Sequence, residues 1–137
     1  MYDNLIFHHV PKAAGSTLTE IIRRQYTNEE FYKITTHPSV QASIKKFTLL
    51  PKEKKRKIRC VAGHGEVGKL DKHLKGRTAH ITMLRDPIER IISHYYYVQR
   101  NPNHYLYESL QNEKWSLQEY VKESGSMEFK NWMVRHM

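Results

Sequence analysis

A lysine, two alanines, a glycine, a serine and a threonine follow one another as Lys12-Ala13-Ala14-Gly15-Ser16-Thr17, directly after the short apolar run Asn4–Val10. Small residues let a backbone curl tightly, so that successive N–H groups point at one anion. A helix beginning there would add the positive end of its dipole, which contributes about 0.3 to 2 kcal/mol for a nearby charge. Ser16 and Thr17 can donate hydroxyl hydrogen bonds, and Lys12 supplies a mobile cation. The loop is not a Walker A element, in which the lysine follows the last glycine; here Lys12 opens the loop. Two readings stay open: an anion cradle, or a tight strand-to-helix turn capped by Ser16.

A second constellation is Leu84-Arg85-Asp86-Pro87 with the helical pattern behind it. Asp86 reads as an N-cap with Pro87 at the first helical position. At about 100° per residue, Ile88, Ile91, Ile92 and Tyr95 form an apolar stripe, with Arg90, Ser93 and Tyr97 opposite. Ser93 is therefore free to face a ligand instead of the core. Arg85, at the end of a strand, could grip a phosphate through two parallel hydrogen bonds. Arg90, mid-helix, reads as a salt-bridge partner. A third place is Gly63-His64-Gly65, at the end of the run Ile58–Ala62. Histidine can take a proton near neutral pH, and the flanking glycines would allow a substrate close. His64 is the candidate base; the alternative is a structural or solvated imidazole.

Strands are expected over Asn4–Val10, Phe31–Thr35, Ile58–Ala62 and Thr78–Leu84. Helical spacing links Leu18, Ile21, Ile22 and Tyr26, and again Val40, Ile44 and Phe47 after Pro38. Ser116-Leu117-Gln118-Glu119 is a capping box opening a helix to about Glu123, and a last helix is expected from Ser126. Strands alternating with helices imply a parallel α/β sheet, with ligands at the carboxyl ends of its strands. Those ends lie after Val10, Ala62 and Leu84, where the three constellations stand. Of the nine histidines, His8 and His9 sit on the first strand, where one side chain should pack under the loop. His80 is expected to face the core. His73, His94 and His104 carry no comparable geometry.

Pro11-Lys12-Ala13-Ala14-Gly15-Ser16-Thr17-Leu18 resembles the 5′-phosphosulfate loop of sulfotransferases that use 3′-phosphoadenosine-5′-phosphosulfate (PAPS). Leu84 to Tyr96 resembles their 3′-phosphate motif, including the spacing of eight from Arg85 to Ser93. The nearest subgroup is the heparan sulfate 2-O-sulfotransferase-like group, which modifies carbohydrates. The resemblance implies a P-loop-NTPase-like three-layer α/β fold, with a central parallel sheet flanked by helices. It implies that Lys12 binds the phosphosulfate and stabilises the leaving phosphate. Gly15, Ser16 and Thr17, with Ala14 and Leu18 beside them, would bind the donor's 5′ end; Arg85 and Ser93 would hold its 3′-phosphate. A Gly-His element similar to Gly63-His64 carries the proposed base of that family. Sulfuryl transfer of this kind needs no metal, and no metal-ligand spacing such as His-Glu-x-x-His is present. The resemblance spans approximately residues 5 to 135. Related enzymes continue beyond the segment resembling Asn131–Arg135, so one donor-binding domain lacking its usual C-terminal portion is expected.

The 137 residues suffice for one core. The net charge of +9 points to anionic partners, and Lys52–Lys57 could attract an anionic polysaccharide or form a solvated helix face. Tyr95, Tyr96, Tyr97, Tyr105 and Tyr107 could line a sugar or adenine surface, or close a core. Cys60, the single cysteine, reads as an inert buried thiol. No apolar run reaches bilayer length and no signal peptide is recognisable, so the chain reads as cytoplasmic. No recognised nucleic-acid motif accompanies the charge. A sulfotransferase with a carbohydrate acceptor leads; an inactive donor-binding fragment and a P-loop small-molecule kinase are the alternatives.

Overall fold

The computed structural model describes residues 1–124. They fall into two compact units, residues 1–84 and a second beginning at Arg85. The first unit runs β1 (Asn4–His8), α1 (Gly15–Arg23), β2 (Phe31–Ile34), α2 (Val40–Thr48), α3 (Lys52–Lys57), β3 (Cys60–Gly63), a 3-10 helix (Val67–His73) and β4 (Thr78–Thr82). The second holds α4 (Pro87–Gln99), α5 (Tyr107–Asn112) and α6 (Leu117–Glu123).

The four strands form one parallel sheet in the order β2-β3-β1-β4. Their side chains alternate between two apolar faces, as the pleat requires. Ile6, Ile34 and Val61 pack with Phe47 of α2 and with Val67 and Leu70 of the 3-10 helix. Phe7, Cys60 and Ala62 pack on the other face with Ile22 and Leu18 of α1. A buried sheet covered on both faces reads as near-continuous apolar runs, which is how β1 and β3 read. The expected α/β architecture, a central parallel sheet flanked by helices, is therefore the fold. Strands β1, β2 and β4 end one or two residues before their expected ends, as the chain turns into the connections, whereas β3 starts two residues later and ends one residue later than expected.

The helices depart from the sequence pattern in informative ways. Val40, Ile44 and Phe47 do face the sheet, under the Ser39 cap, whose side chain accepts the Ala42 N–H at 3.1 Å. Ile21 is 53% exposed, and Thr19 and Ile22 form the buried face of α1 instead. In the second unit the Asp86 cap and Pro87 stand as expected, with Asp86 Oδ1 accepting the Glu89 N–H at 3.0 Å. The isoleucine stripe of α4, however, is not its buried face: Ile88 is 69% exposed, while Arg90, His94 and Val98 are buried. The reason is partnership. His94 Nδ1 shares a 2.6 Å hydrogen bond with the Tyr120 hydroxyl, and Val98 packs with Leu106, Leu110 and Tyr120. A polar residue inside a satisfied bond can be buried where its hydropathy says otherwise. The Ser116–Glu119 capping box is present in full and starts α6. The Lys52–Lys57 run is a helix without a buried residue, a solvated face. The helix expected from Ser126 lies outside the described residues. Among the described residues no helix is long and apolar enough to cross a membrane.

His80 is exposed instead of core-facing, because among the described residues β4 has a neighbour on one side only; its Nδ1 meets His8 Nε2 at 3.0 Å. Ile6, fully buried on the central strand, tests the packing. Ile6→Ala should lower unfolding stability by about 2 to 5 kcal/mol with an unchanged denaturant slope. Urea denaturation reads this, and a loss below about 1 kcal/mol would contradict the burial described.

Candidate functional site

The strand register sets the stage. Gly63 pairs with His8 and with Ile34, and His8 pairs with Thr82, so all four strands end level. The chain leaves β1 toward α1 on one face and leaves β3 toward the 3-10 helix on the other. Adjacent connections that part to opposite faces open a crevice at the carboxyl edge of a sheet.

The loop after β1 fills one side of that crevice. Lys12 (φ 63°) and Ala14 (φ 58°) both take the left-handed conformation, at roughly 1 to 3 kcal/mol each for residues with a Cβ. Buried Ala13 anchors the loop between them. Helix α1 begins at Gly15, with Ala14 as an N-cap that has no side-chain bond, so Ser16 is not the cap. It lies one residue inside the helix, exposed, as is Thr17. Among the described residues neither hydroxyl has a protein partner. The first N–H groups of the helix, at Gly15, Ser16 and Thr17, lack intrahelical acceptors; the first closing bond runs from the Leu18 N–H to the Ala14 carbonyl. Thr19 is turned inward, its hydroxyl donating to the Gly15 carbonyl at 2.7 Å. The loop can therefore offer an anion several N–H donors, two hydroxyls and the helix dipole, with half-buried Lys12 beside them.

Gly15 is required by close approach: a Cβ there would overlap the imidazole of His9. His9 is thus the histidine packed under the loop. Its N–H donates to the Gly63 carbonyl at 2.8 Å, and its own carbonyl accepts from His64 Nδ1 at 2.7 Å. A carbonyl can only accept, so His64 carries a proton on Nδ1, and in the neutral ring the lone pair is then on Nε2. That is the tautomer a base needs. The two imidazoles lie against each other, centroids 4.2 Å apart. Burial, with the charges of His64 and Lys33, lowers the pKa of His9 to about 4, so it is neutral near pH 7. The glycines beside His64 serve the fold more than substrate approach. A Cβ on Gly63 would meet the Ile34 side chain, and Gly65 takes φ 74°.

A cleft of about 320 Å³ joins these parts within the first unit, lined by Ser16, His9, His64, Lys33, Thr35 and His37 among others. The end of β2 was missed in the sequence, although the strand-end rule applies to Phe31–Ile34 equally. Thr35 is pinned there, its N–H donating to Ser43 Oγ at 3.0 Å and its hydroxyl to the His37 carbonyl at 3.0 Å. Cys60 is fully buried, its thiol pushed up to about 12 by desolvation, and so inert.

Arg85 and Ser93 belong to the second unit. Arg85 is exposed, its Nη2 bound to Glu89 Oε2 at 3.2 Å, one helical turn on. An exposed pair of this kind contributes little to stability and can exchange partners for a phosphate. Ser93, two turns beyond, is half-exposed. The tyrosines divide: Tyr95 closes the core of the unit, its hydroxyl donating to the Trp115 carbonyl at 2.9 Å, whereas Tyr96, Tyr97 and Tyr105 are exposed.

A family model described as the sulfotransferase family matches residues 2–135. No curated protein and no solved structure matches the chain.

The His9 environment has a consequence for stability. The unfolded chain protonates this side chain near pH 6.5, the folded protein only near pH 4. Between those values the unfolded state binds more protons, so stability is full above about pH 6.5 and declines as pH falls toward 4. His73, shifted down by desolvation, adds in the same direction. Replacing His9 by Phe removes one titration and keeps the other, so urea midpoints at about pH 7 and about pH 4.5 should differ less in His9→Phe than in the wild type.

Proposed function

Because the chain belongs to the sulfotransferase family, we propose that it moves a sulfuryl group from PAPS to a hydroxyl of a carbohydrate-type acceptor. The observation that carries the reading is His64: a histidine at a strand end, its Nδ1–H donating to the His9 carbonyl, in a cleft shared with the first turn of α1. The acceptor hydroxyl approaches His64 Nε2 over the end of β2 and attacks sulfur in line. His64 takes its proton as the new O–S bond forms. The bond from sulfur to the bridging phosphate oxygen breaks, and 3′-phosphoadenosine-5′-phosphate leaves with the electron pair. Lys12 and the N–H groups of Gly15, Ser16 and Thr17, with Ala14 and Leu18 flanking them, bind that developing charge. Arg85 and Ser93 take the 3′-phosphate, which distinguishes this donor from ordinary adenine nucleotides. The resemblance of the two motifs to carbohydrate O-sulfotransferases supports the choice of donor and acceptor class.

Charge-assisted hydrogen bonds contribute about 1.5 to 3 kcal/mol each, so 3′-phosphoadenosine-5′-phosphate should bind at least roughly tenfold more tightly than AMP. Titration calorimetry compares the two, and equal affinity would sink the donor assignment. Arg85→Ala should erase the preference. His64→Ala should keep donor binding and lower transfer by about 100- to 10,000-fold, read with a radiolabelled donor. Donor binding without transfer by the wild type would leave only a binding protein.

A further inference from the structure

We propose that His9 is the positioning residue of His64. Its carbonyl and its ring together hold the base in one orientation, using space that only a glycine at position 15 leaves. The proposal rests on the reading of His64 as the base. Three contacts carry it. Residue 9 is gripped by the last residue of β3 and by the residue after it, giving its N–H to Gly63 and taking the Nδ1–H of His64. The His9 ring then lies against the His64 ring at 4.2 Å between centroids, and is itself stacked on Phe7 at 5.9 Å. Its remaining side abuts Gly15, the first residue of α1. The ring is thus a wedge with the phosphate loop on one side and the base on the other.

The chemistry of the wedge fits this use. Lys33 and His64 are the charged or titratable groups whose fields act on it, and both disfavour its protonation. A neutral ring supports its neighbour by packing and leaves the neighbour's own proton uptake unopposed. The His9 ring adds a packed face to the backbone bond and so restricts tilting of the His64 imidazole about its Nδ1 contact. With the His9 ring in place, the imidazole is held at the cleft that Ser16 and Lys33 also line. Misplacing a reacting group by about 1 Å costs on the order of 100-fold in rate, so support of this kind belongs to turnover and not to donor affinity.

The test compares His9→Ala and His9→Phe with the wild type, with circular dichroism reporting the fold. His9→Ala should lower kcat by about 100-fold while the calorimetric Kd for 3′-phosphoadenosine-5′-phosphate stays within about threefold. His9→Phe restores an aromatic ring and should recover most of that loss. Nitrogen-15 spectra of the His64 imidazole read the positioning without any turnover: one Nδ1–H tautomer in the wild type and His9→Phe, a mixture in His9→Ala. A folded His9→Ala with wild-type kcat and a single tautomer would overturn the proposal. So would a loss confined to donor Kd, which marks a wedge under the loop and nothing more. If His9→Ala does not fold, a folded His9→Phe that mixes tautomers or falls as low as His64→Ala overturns it equally. A wild type with an ordered His64 tautomer and no sulfuryl transfer would remove the assignment of the reaction while the positioning contact stood.

Discussion

The structure depends on one constraint: β1 is paired in parallel on both sides, with β3 and with β4, and in register such that all the strands stop together. A parallel sheet cannot use tight hairpins, so each strand must be followed by a crossover. The level ends put every crossover's first residues on one edge. Because α1 and the 3-10 helix depart to opposite faces, that edge is open in the middle. What stands there is whatever follows β1 and β3, here a loop with two left-handed residues and a histidine. The loop and the histidine stand where the topology leaves a gap.

Within that gap the two parts are joined more tightly than neighbouring loops need to be. Residue 9 bonds to residues 63 and 64 through its own backbone, and its side chain occupies the space of an absent Cβ at Gly15. The left-handed Lys12 and Ala14 raise the energy of the loop locally. Strain of that size persists only when the surroundings determine the conformation. Buried Ala13 and the wedge of His9 are such surroundings.

Much of this was legible from residue types. The four strands, the Asp86–Pro87 start of α4 and the Ser116 capping box follow from local rules that tertiary contacts did not override. The histidine under the loop was legible as a position, though not which of His8 and His9 it would be. Hydropathy failed where polar groups found partners. The burial of His94 depends on Tyr120, distant in sequence, and no periodicity can announce such a bond. The end of β2 escaped notice for the opposite reason: Thr35 and His37 are ordinary residues whose interest lies wholly in what the register places beside them. Ser16 looked like a cap because helix starts are read from side chains, whereas here the backbone of Ala14 makes the turn.

Cys60 has a use that its inertness creates. It is the first residue of β3, covered by α1 on one face of the sheet and paired to β1 and β2 at its edges. No reagent can reach its sulfur while the strands stay together, and burial keeps the thiolate scarce. Alkylation therefore has to wait for the sheet to open, and its rate in native buffer counts openings. As the chain has no other cysteine, the label would come from a single place. The protein carries its own clock for the separation of its central strands.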